Sequence, residues 1–485
     1  MTSTNPQVDS STAPAGQHTL ARTLGVRQIV FMVIAGAAPL TVVVGIVPLM
    51  MSMGNGIGAP LDYLVAGAIL LLFAVGFATM SGEVKNAGAF YAYIQKGLGR
   101  IPGLGAASLA MMTYLFVLVA VVAYLGAAVS NAIASYTDTQ TPWWLWTVIA
   151  LASIAFLGHR NVELSAKVLG VVLIAEIAIV AVVDLCIVVA GGDAGLSAAP
   201  FAPAHLLDGA VGTGVMFAIF GYVGFEATAA FRSEAKDPDR TIPRATFTAV
   251  GVITVFYTIS AWAVIVGAGV DNAVAAATDD PVNLVLDLGD RFAGRFAHDL
   301  MQVLLVTSFY ACTLTFHNVA GRYVYTLGRL GALPNRLGDV HERHRSPYVA
   351  SALVVTVVTV LLAIMAVPGL DPVVQIYAWL SGAATLGVVS LMALTSLAVI
   401  VFFARNARPQ SIWKKFVAPA AALLGLLIAI ALIVGNFATL VGSQWMAWLL
   451  GSVLVVSFVI GMGWSLGLRA ARPEAFERLD ADLEN

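Results

Sequence analysis

Glu226 lies in Phe220-Gly221-Tyr222-Val223-Gly224-Phe225-Glu226, inside an otherwise apolar stretch from about Val211 to Phe231. An acid at mid-membrane depth costs roughly 3 kcal/mol on insertion scales. The two glycines beside it weaken a helix by roughly 1 kcal/mol each relative to alanine. A buried charge beside a weakened helix can present both carboxylate and backbone to a polar ligand. It can equally bond the backbone N–H groups that the break sets free. A second apolar stretch carries Glu176 near its middle and Asp184 toward one end. Eight residues separate them, about 12 Å along a helix and within roughly 80° on the wheel. Ser308, Cys312, Thr313, Thr315, His317 and Asn318 bring hydroxyls and an imidazole into a third stretch, and Gln375, Tyr377, Trp379 and Ser381 bring polar-aromatic groups into a fourth. The imidazole could titrate or be a satisfied packing residue. No Lys or Arg falls deep in any of these stretches. Surplus buried acid suits a cation or a proton as passenger.

The elements that must position these groups are membrane helices. The chain is 59% hydrophobic and 11% charged, more apolar surface than a soluble chain of this length could hide. Twelve apolar segments are long enough to span, near 28–52, 61–80, 103–135, 142–158, 164–190, 209–231, 245–268, 296–328, 348–367, 372–404, 416–436 and 445–468. The third, eighth and tenth exceed the bilayer and should tilt or project. The fourth is short, and Trp143, Trp144 and Trp146 at its start read as an interfacial anchor. Cys186 and Cys312 both fall inside apolar segments, where a thiol behaves as a small hydrophobe; no disulfide and no metal site are expected. A net charge of -2 gives no case for nucleic acid. The first 20 residues are polar and lack a signal-peptide core, and 1–21 reads as a disordered tail.

Twenty-three of the 25 Lys and Arg residues fall in the tails and alternate loops on one side of this twelve-span pattern, leaving Arg291 and Arg295 for the other. That asymmetry places both termini in the cytoplasm. Opposite them, Asp271, Asp279, Asp280, Asp287 and Asp290 cluster between spans seven and eight. A short surface helix from Pro281 to Leu288, opened by Asp280 as N-cap, is expected there. The acids could concentrate cations or serve only the solubility of an exposed loop.

Span one contains Ala35-Gly36-Ala37-Ala38-Pro39-Leu40-Thr41. Pro39 removes a backbone donor and clashes with the carbonyl four residues earlier, with Gly36 and Thr41 nearby to favour unwinding. Span six has the weakness from Gly221 to Gly224. Each span opens a block of five helices, and interrupted helices at matching places in two halves point to a transporter built from inverted repeats. Freed N–H groups at such a break bind a carboxylate, and freed carbonyls and acids bind an ammonium. HExxH, GxSxG and Walker motifs are absent from the sequence, which argues against an enzyme or an ATP-driven pump. No repeated filter motif suggests a channel.

Three motifs resemble the amino acid–polyamine–organocation permeases. One is Gly224-Phe225-Glu226 followed by 236–245, Lys-Asp-Pro-Asp-Arg-Thr-Ile-Pro-Arg-Ala. Another is 82–93, Gly-Glu-Val-Lys-Asn-Ala-Gly-Ala-Phe-Tyr-Ala-Tyr. The third is 328–334, Gly-Arg-Leu-Gly-Ala-Leu-Pro, leading to Arg345-Ser346-Pro347. The resemblance covers about residues 22 to 468. It implies an all-α polytopic membrane protein of the LeuT type. Two inverted five-helix repeats would occupy 22–200 and 201–408, accessory spans 409–468, and a cytoplasmic tail 469–485.

Carried over by position, the substrate site takes backbone from Gly36, Ala37 and Ala38 of span one and from Gly221, Val223 and Gly224 of span six. Thr41 and Glu226 join it, and Phe220 would be an aromatic gate; the alternative for Phe220 is a lipid-facing ring. In proton-coupled relatives a lysine on span five stands where other members bind sodium, and Glu176 occupies that place here, nine residues beyond Lys167. Removing a carboxylate from water favours its neutral form, so Glu176 and Glu226 are the candidates for proton coupling. One departure is notable. Many amino acid permeases of the family carry Gly-Ser-Gly at the first break, where this chain has Leu40-Thr41-Val42. A proline-containing break is also similar to the putrescine importers. The expected function is import of amino acids or related amines across the cytoplasmic membrane. It would be driven by a proton or sodium gradient without a cofactor. A polyamine importer and an amino acid exchanger are the alternatives.

Overall fold

A computed structural model describes residues 24–84, 89–159, 166–329, 331–341, 346–406, 408–474, 476–477 and 479. The tail expected to be disordered, 1–21, lies outside the described residues, as do 85–88 of the motif after span two, Arg160, Arg343 and Arg345. Among the described residues the chain is all-helical, with an isolated bridge between Leu24 and Ala235. Its α-helices are α1 (Val26–Ala37), α2 (Pro39–Gly45), α3 (Val47–Met53), α4 (Ala59–Met80), α5 (Ala89–Leu98), α6 (Arg100–Thr137), α7 (Trp143–His159), α8 (Ala166–Ala190) and α9 (Val211–Phe220). They continue with α10 (Pro238–Ala268), α11 (Ala273–Asp279), α12 (Leu284–Ala293), α13 (Arg295–Arg329), α14 (Tyr348–Ala366), α15 (Ala378–Arg405), α16 (Ala418–Val441) and α17 (Gln444–Ala471).

Among the described residues, eleven stretches are long and apolar enough to cross a membrane. The helix expected as span four, α7, is apolar but has 17 residues; at 1.5 Å per residue that is about 26 Å, just under the ~30 Å hydrocarbon core. The overlong spans are found where expected. The longest, α6, has 38 residues, about 57 Å of helix, so it must tilt or project. Span seven is longer than the apolar run suggested. It starts at Pro238 instead of near 245, because proline suits a first helical turn and the Asp237 carbonyl accepts from Arg240 and Thr241 N–H. The helix expected from Pro281 to Leu288 is displaced. Asp280 accepts from the N–H groups of Val282 and Asn283 at 3.2 and 3.0 Å, holding a turn, and α12 begins only at Leu284, with α11 before the turn.

The buried centre is α6, nearly every residue of which is buried between Gly103 and Leu125. At the periphery, α17 turns Trp445, Trp448, Val455, Val456, Val459 and Ile460 outward. Such a continuous apolar surface is what hydrocarbon requires. Helix α8 is divided between the two environments: Val171, Ile174, Val182, Leu185 and Val189 face out, while Glu176 and Asp184 are buried. One end of the bundle gathers the described termini. Leu24 meets Ala235 there, Arg232 bridges Ser81 and Asp239, Arg408 pairs with Glu83, and Gln95 donates to the Leu479 carbonyl at 2.7 Å. The opposite end carries α11, α12 and the Arg291–Asp193 ion pair.

Candidate functional site

Span one breaks where its sequence demands. Helix α1 ends at Ala37, Ala38 takes the left-handed conformation with φ 46° and ψ 70°, and Pro39 opens α2. An L-residue there is strained by roughly 1–2 kcal/mol. Pro39 cannot donate to α1, so the end of α1 keeps carbonyls for other donors. The Tyr257 hydroxyl donates to the Ala37 carbonyl at 3.3 Å.

Span six breaks between the two glycines, as the sequence suggested: α9 ends at Phe220. Gly221 stays right-handed, with φ -61°, and donates to the Phe217 carbonyl at 3.2 Å. The chain turns through Tyr222 and Val223 to Gly224, whose φ of 111° excludes most L-residues, and continues as a 3-10 helix over Phe225–Glu234. The two breaks face each other. A Cβ on Gly224 would lie 3.5 Å from the Gly36 carbonyl oxygen, and one on Gly221 would lie 3.1 Å from Val42. Gly36 and Ala37 of span one therefore meet Gly224 of span six, and Val42 meets Gly221; Ala38 and Val223 are their neighbours in the chain.

Glu226 is 4% exposed. The Tyr114 hydroxyl donates to its Oε1 at 2.6 Å, and the Gly224 N–H donates to its Oε2 at 2.9 Å. Tyr114 is itself stacked on Tyr323 and Phe316, at 5.6 and 6.1 Å between ring centroids. Of the two roles open to Glu226, the geometry fills the one in which it bonds the freed backbone.

Glu176 sits on the other side of the span-one break. It is 3% exposed, faces the Leu40 N–H and the Ser308 hydroxyl, and its Oε2 has no partner among the described residues. Ser308 and Thr41 bond each other at 2.8 Å. Asp184, two turns along α8, accepts from Ser260 at 2.6 Å and joins α8 to α10.

Phe220 is buried, which removes the lipid-facing alternative. Its ring meets Tyr377 edge-on at 6.0 Å, Tyr377 meets Tyr124 at 5.0 Å, and Tyr124 stacks on Phe309 at 4.3 Å. Gly45 makes room for the stack: a Cβ there would lie 3.3 Å from both Phe309 and Tyr124. The Tyr124 hydroxyl has no partner among the described residues.

Other polar candidates stand apart. His317 bonds Ser351 at 2.9 Å, Thr313 and Thr315 bond carbonyls of their own helix, and Gln375 accepts from the Asp371 N–H at the start of span ten. Tyr114, Tyr257 and Tyr124 were not singled out from the sequence. A phenol inside an apolar span is a signal, since its hydroxyl needs a partner when buried, but the partners lie on distant segments.

A family model described as amino acid permease matches residues 24–463. The chain is similar to the branched-chain amino acid permease BcaP of Bacillus subtilis (strain 168), 24% identical over 71% of this chain and 74% of that one. It is similar to the gamma-aminobutyric acid permease of Escherichia coli (strain K12), 26% identical over 69% and 72%. It is also similar to the low-affinity putrescine importer PlaP of the same strain, 25% identical over 59% of this chain and 63% of that one.

Proposed function

The chain belongs to the amino acid permease family, which makes it a membrane transporter and not an enzyme, and we propose that it imports amino acids or related amines by proton-coupled alternating access. The observation that carries this reading is the meeting of two broken helices, with Gly36 of one against Gly224 of the other and a buried acid beside each. We read the twelve-span, 5+5 inverted-repeat arrangement onto it, α7 counting as span four, with both termini cytoplasmic in the cytoplasmic membrane. Substrate would lie between the breaks, against Gly36–Ala38, Thr41 and Gly221–Gly224, with Phe220 closing over it from the aromatic cluster. Glu226 would shape this site by bracing Gly224 and would contact substrate less directly than expected from sequence.

Glu176 would carry the proton. Leu40 is among the first residues of α2, whose N–H groups have no intrahelical partner, and Glu176 faces it. A substrate carboxylate would compete with Glu176 for that N–H. Protonating Glu176 releases the N–H and removes the like charge, so proton and substrate carboxylate would bind together. No resident cofactor takes part; the driving force would be the gradient.

A polyamine importer is the second reading. It is favoured by the bulk of Leu40 and Val42 at the break and by the similarity to a putrescine importer. The deciding experiment is uptake into proteoliposomes, with and without an inward proton gradient, of neutral amino acids, cationic amino acids and putrescine. Gradient-driven accumulation of an amino acid supports the first reading. Accumulation of putrescine alone replaces it with the second, and no gradient response overturns proton coupling.

A further inference from the structure

A third buried acid lies away from both breaks, at the end of the bundle opposite the described termini. Asn55 follows α3, and Asp62 sits in the first turn of α4; they are 2% and 0% exposed. The Asn55 amide donates from Nδ2 to Asp62 Oδ1 at 3.1 Å and to the His205 carbonyl at 3.2 Å. These two acceptors set the amide orientation, because turning it over would aim Oδ1 at two oxygens. Two atoms are left over: Asn55 Oδ1 and Asp62 Oδ2 have no hydrogen-bond donor among the described residues.

The two unpartnered oxygens converge on Gly214 of α9. A Cβ at that position would lie 2.3 Å from Asp62 Oδ2 and 2.8 Å from Asn55 Oδ1. Gly58 closes the other side; a Cβ there would lie 2.7 Å from Asn55 Nδ2 and 2.3 Å from the His205 carbonyl oxygen. Backbone pressed this tightly on the pair is no place for a hydrated cation. An ionised carboxylate only accepts hydrogen bonds, and a carboxamide oxygen does the same. A single proton resolves both deficits, giving Asp62 a donor that meets Asn55 Oδ1.

We propose that Asp62 and Asn55 form a buried proton-binding site that latches together the ends of spans one, two and six. Asn55 belongs to the end of span one, Asp62 to span two and Gly214 to span six, and the Gly54 carbonyl accepts from the Ala210 N–H at 3.0 Å beside them. Losing the proton sets a carboxylate against an amide oxygen and loosens the latch. The titratable groups of the surrounding elements are Tyr63, next in the chain, with Tyr222 and Tyr257 packed on it, His205, which bonds Asp208 at 2.7 Å, Asp271 before α11 and Asp279 at its end. None of them hydrogen-bonds Asp62 among the described residues.

The site stands independently of the transport reading and is tested without transport. The purified full chain is compared with Asp62→Asn and Asp62→Ala by infrared spectroscopy and by thermal unfolding across pH. A proton held in the folded state and released on unfolding makes stability fall as pH rises. The wild type is expected to show a carboxylic-acid carbonyl band that Asp62→Asn lacks. Asp62→Asn, whose amide donates at every pH, should also show a shallower fall of its unfolding midpoint. Asp62→Ala should unfold at lower temperature throughout. A full set of wild-type bands and an unchanged pH slope in Asp62→Asn overturns the proposal. A midpoint raised by sodium in the wild type and not in Asp62→Asn overturns it too, in favour of a metal cation.

Discussion

Glu226 and Glu176 are equally hidden but differently satisfied. Both are under 5% exposed, and both stand beside a broken helix. Glu226 has a donor on each oxygen, Tyr114 on one and the Gly224 N–H on the other. Glu176 faces two donors, yet its Oε2 has no partner among the described residues. A carboxylate with both oxygens engaged is tied to its charge and its place. One with a free oxygen can accept a proton without breaking what holds it. On this difference rests the proposal that Glu226 serves the architecture of the break and Glu176 the passage of charge.

Removing Glu226 should produce the largest effect. Glu226→Ala orphans a buried phenol and a buried N–H, at about 1–3 kcal/mol each. Transport is expected to fall at least 100-fold, with a lowered unfolding midpoint. Tyr114→Phe should give a milder version of the same defect, about tenfold, since it deletes a single bond to a charged group. If Glu226→Ala kept its midpoint and lost only substrate affinity, Glu226 would be a substrate ligand and the contrast with Glu176 would collapse.

Glu176→Gln should leave the fold alone and change the coupling. Uptake driven by an inward proton gradient is expected to drop about tenfold. Exchange of substrate across membranes with no gradient should stay within about threefold of wild type, a difference below roughly 1 kcal/mol. Uptake that still follows a pH gradient in Glu176→Gln would remove it from the mechanism.

How much of this was legible in sequence varies along the chain. The span-one break was readable from Ala38-Pro39, because proline acts on its own helix and needs no distant partner. The span-six break was readable from Gly221 and Gly224, which bracket it; only which of them takes the positive φ, Gly224, was not. The acids were visible as charges in apolar runs, while their different satisfaction was not. That depends on Tyr114, 112 residues from Glu226, and on Ser308, far along the chain from Glu176. Helix α12 was misplaced by three residues because Asp280 caps a turn as readily as a helix.

Phe220 sharpens the comparison from the side of the substrate. Its edge-on contact with Tyr377 joins the span-six break to span ten. An aromatic pair of this kind adds about 0.5–1.5 kcal/mol beyond burial. Phe220→Ala is expected to weaken substrate affinity about 3- to 10-fold in a binding assay while leaving the pH dependence of uptake intact. A changed pH dependence would mean that the aromatic cluster, and not Glu176 alone, controls the proton.

The smallest effect should come from Thr41→Val, and it bears on which ion drives transport. Hydroxyls of Thr41 and Ser308 next to freed carbonyls could complete a sodium site. They bond each other at 2.8 Å, however, and Ser308 also faces Glu176. Their lone pairs and hydrogens thus serve protein groups before any ion. Valine keeps the shape of threonine and deletes one neutral hydrogen bond, near the lower end of 0.5–1.5 kcal/mol. Ser308 can turn its hydrogen fully to Glu176, so uptake is expected to fall no more than about 2- to 3-fold. Replacing sodium with potassium should leave wild-type and Thr41→Val rates in the same ratio. If sodium stimulated the wild type and Thr41→Val abolished the stimulation, the two hydroxyls would be ion ligands. The free oxygen of Glu176 would then belong to a cation site instead of a proton carrier.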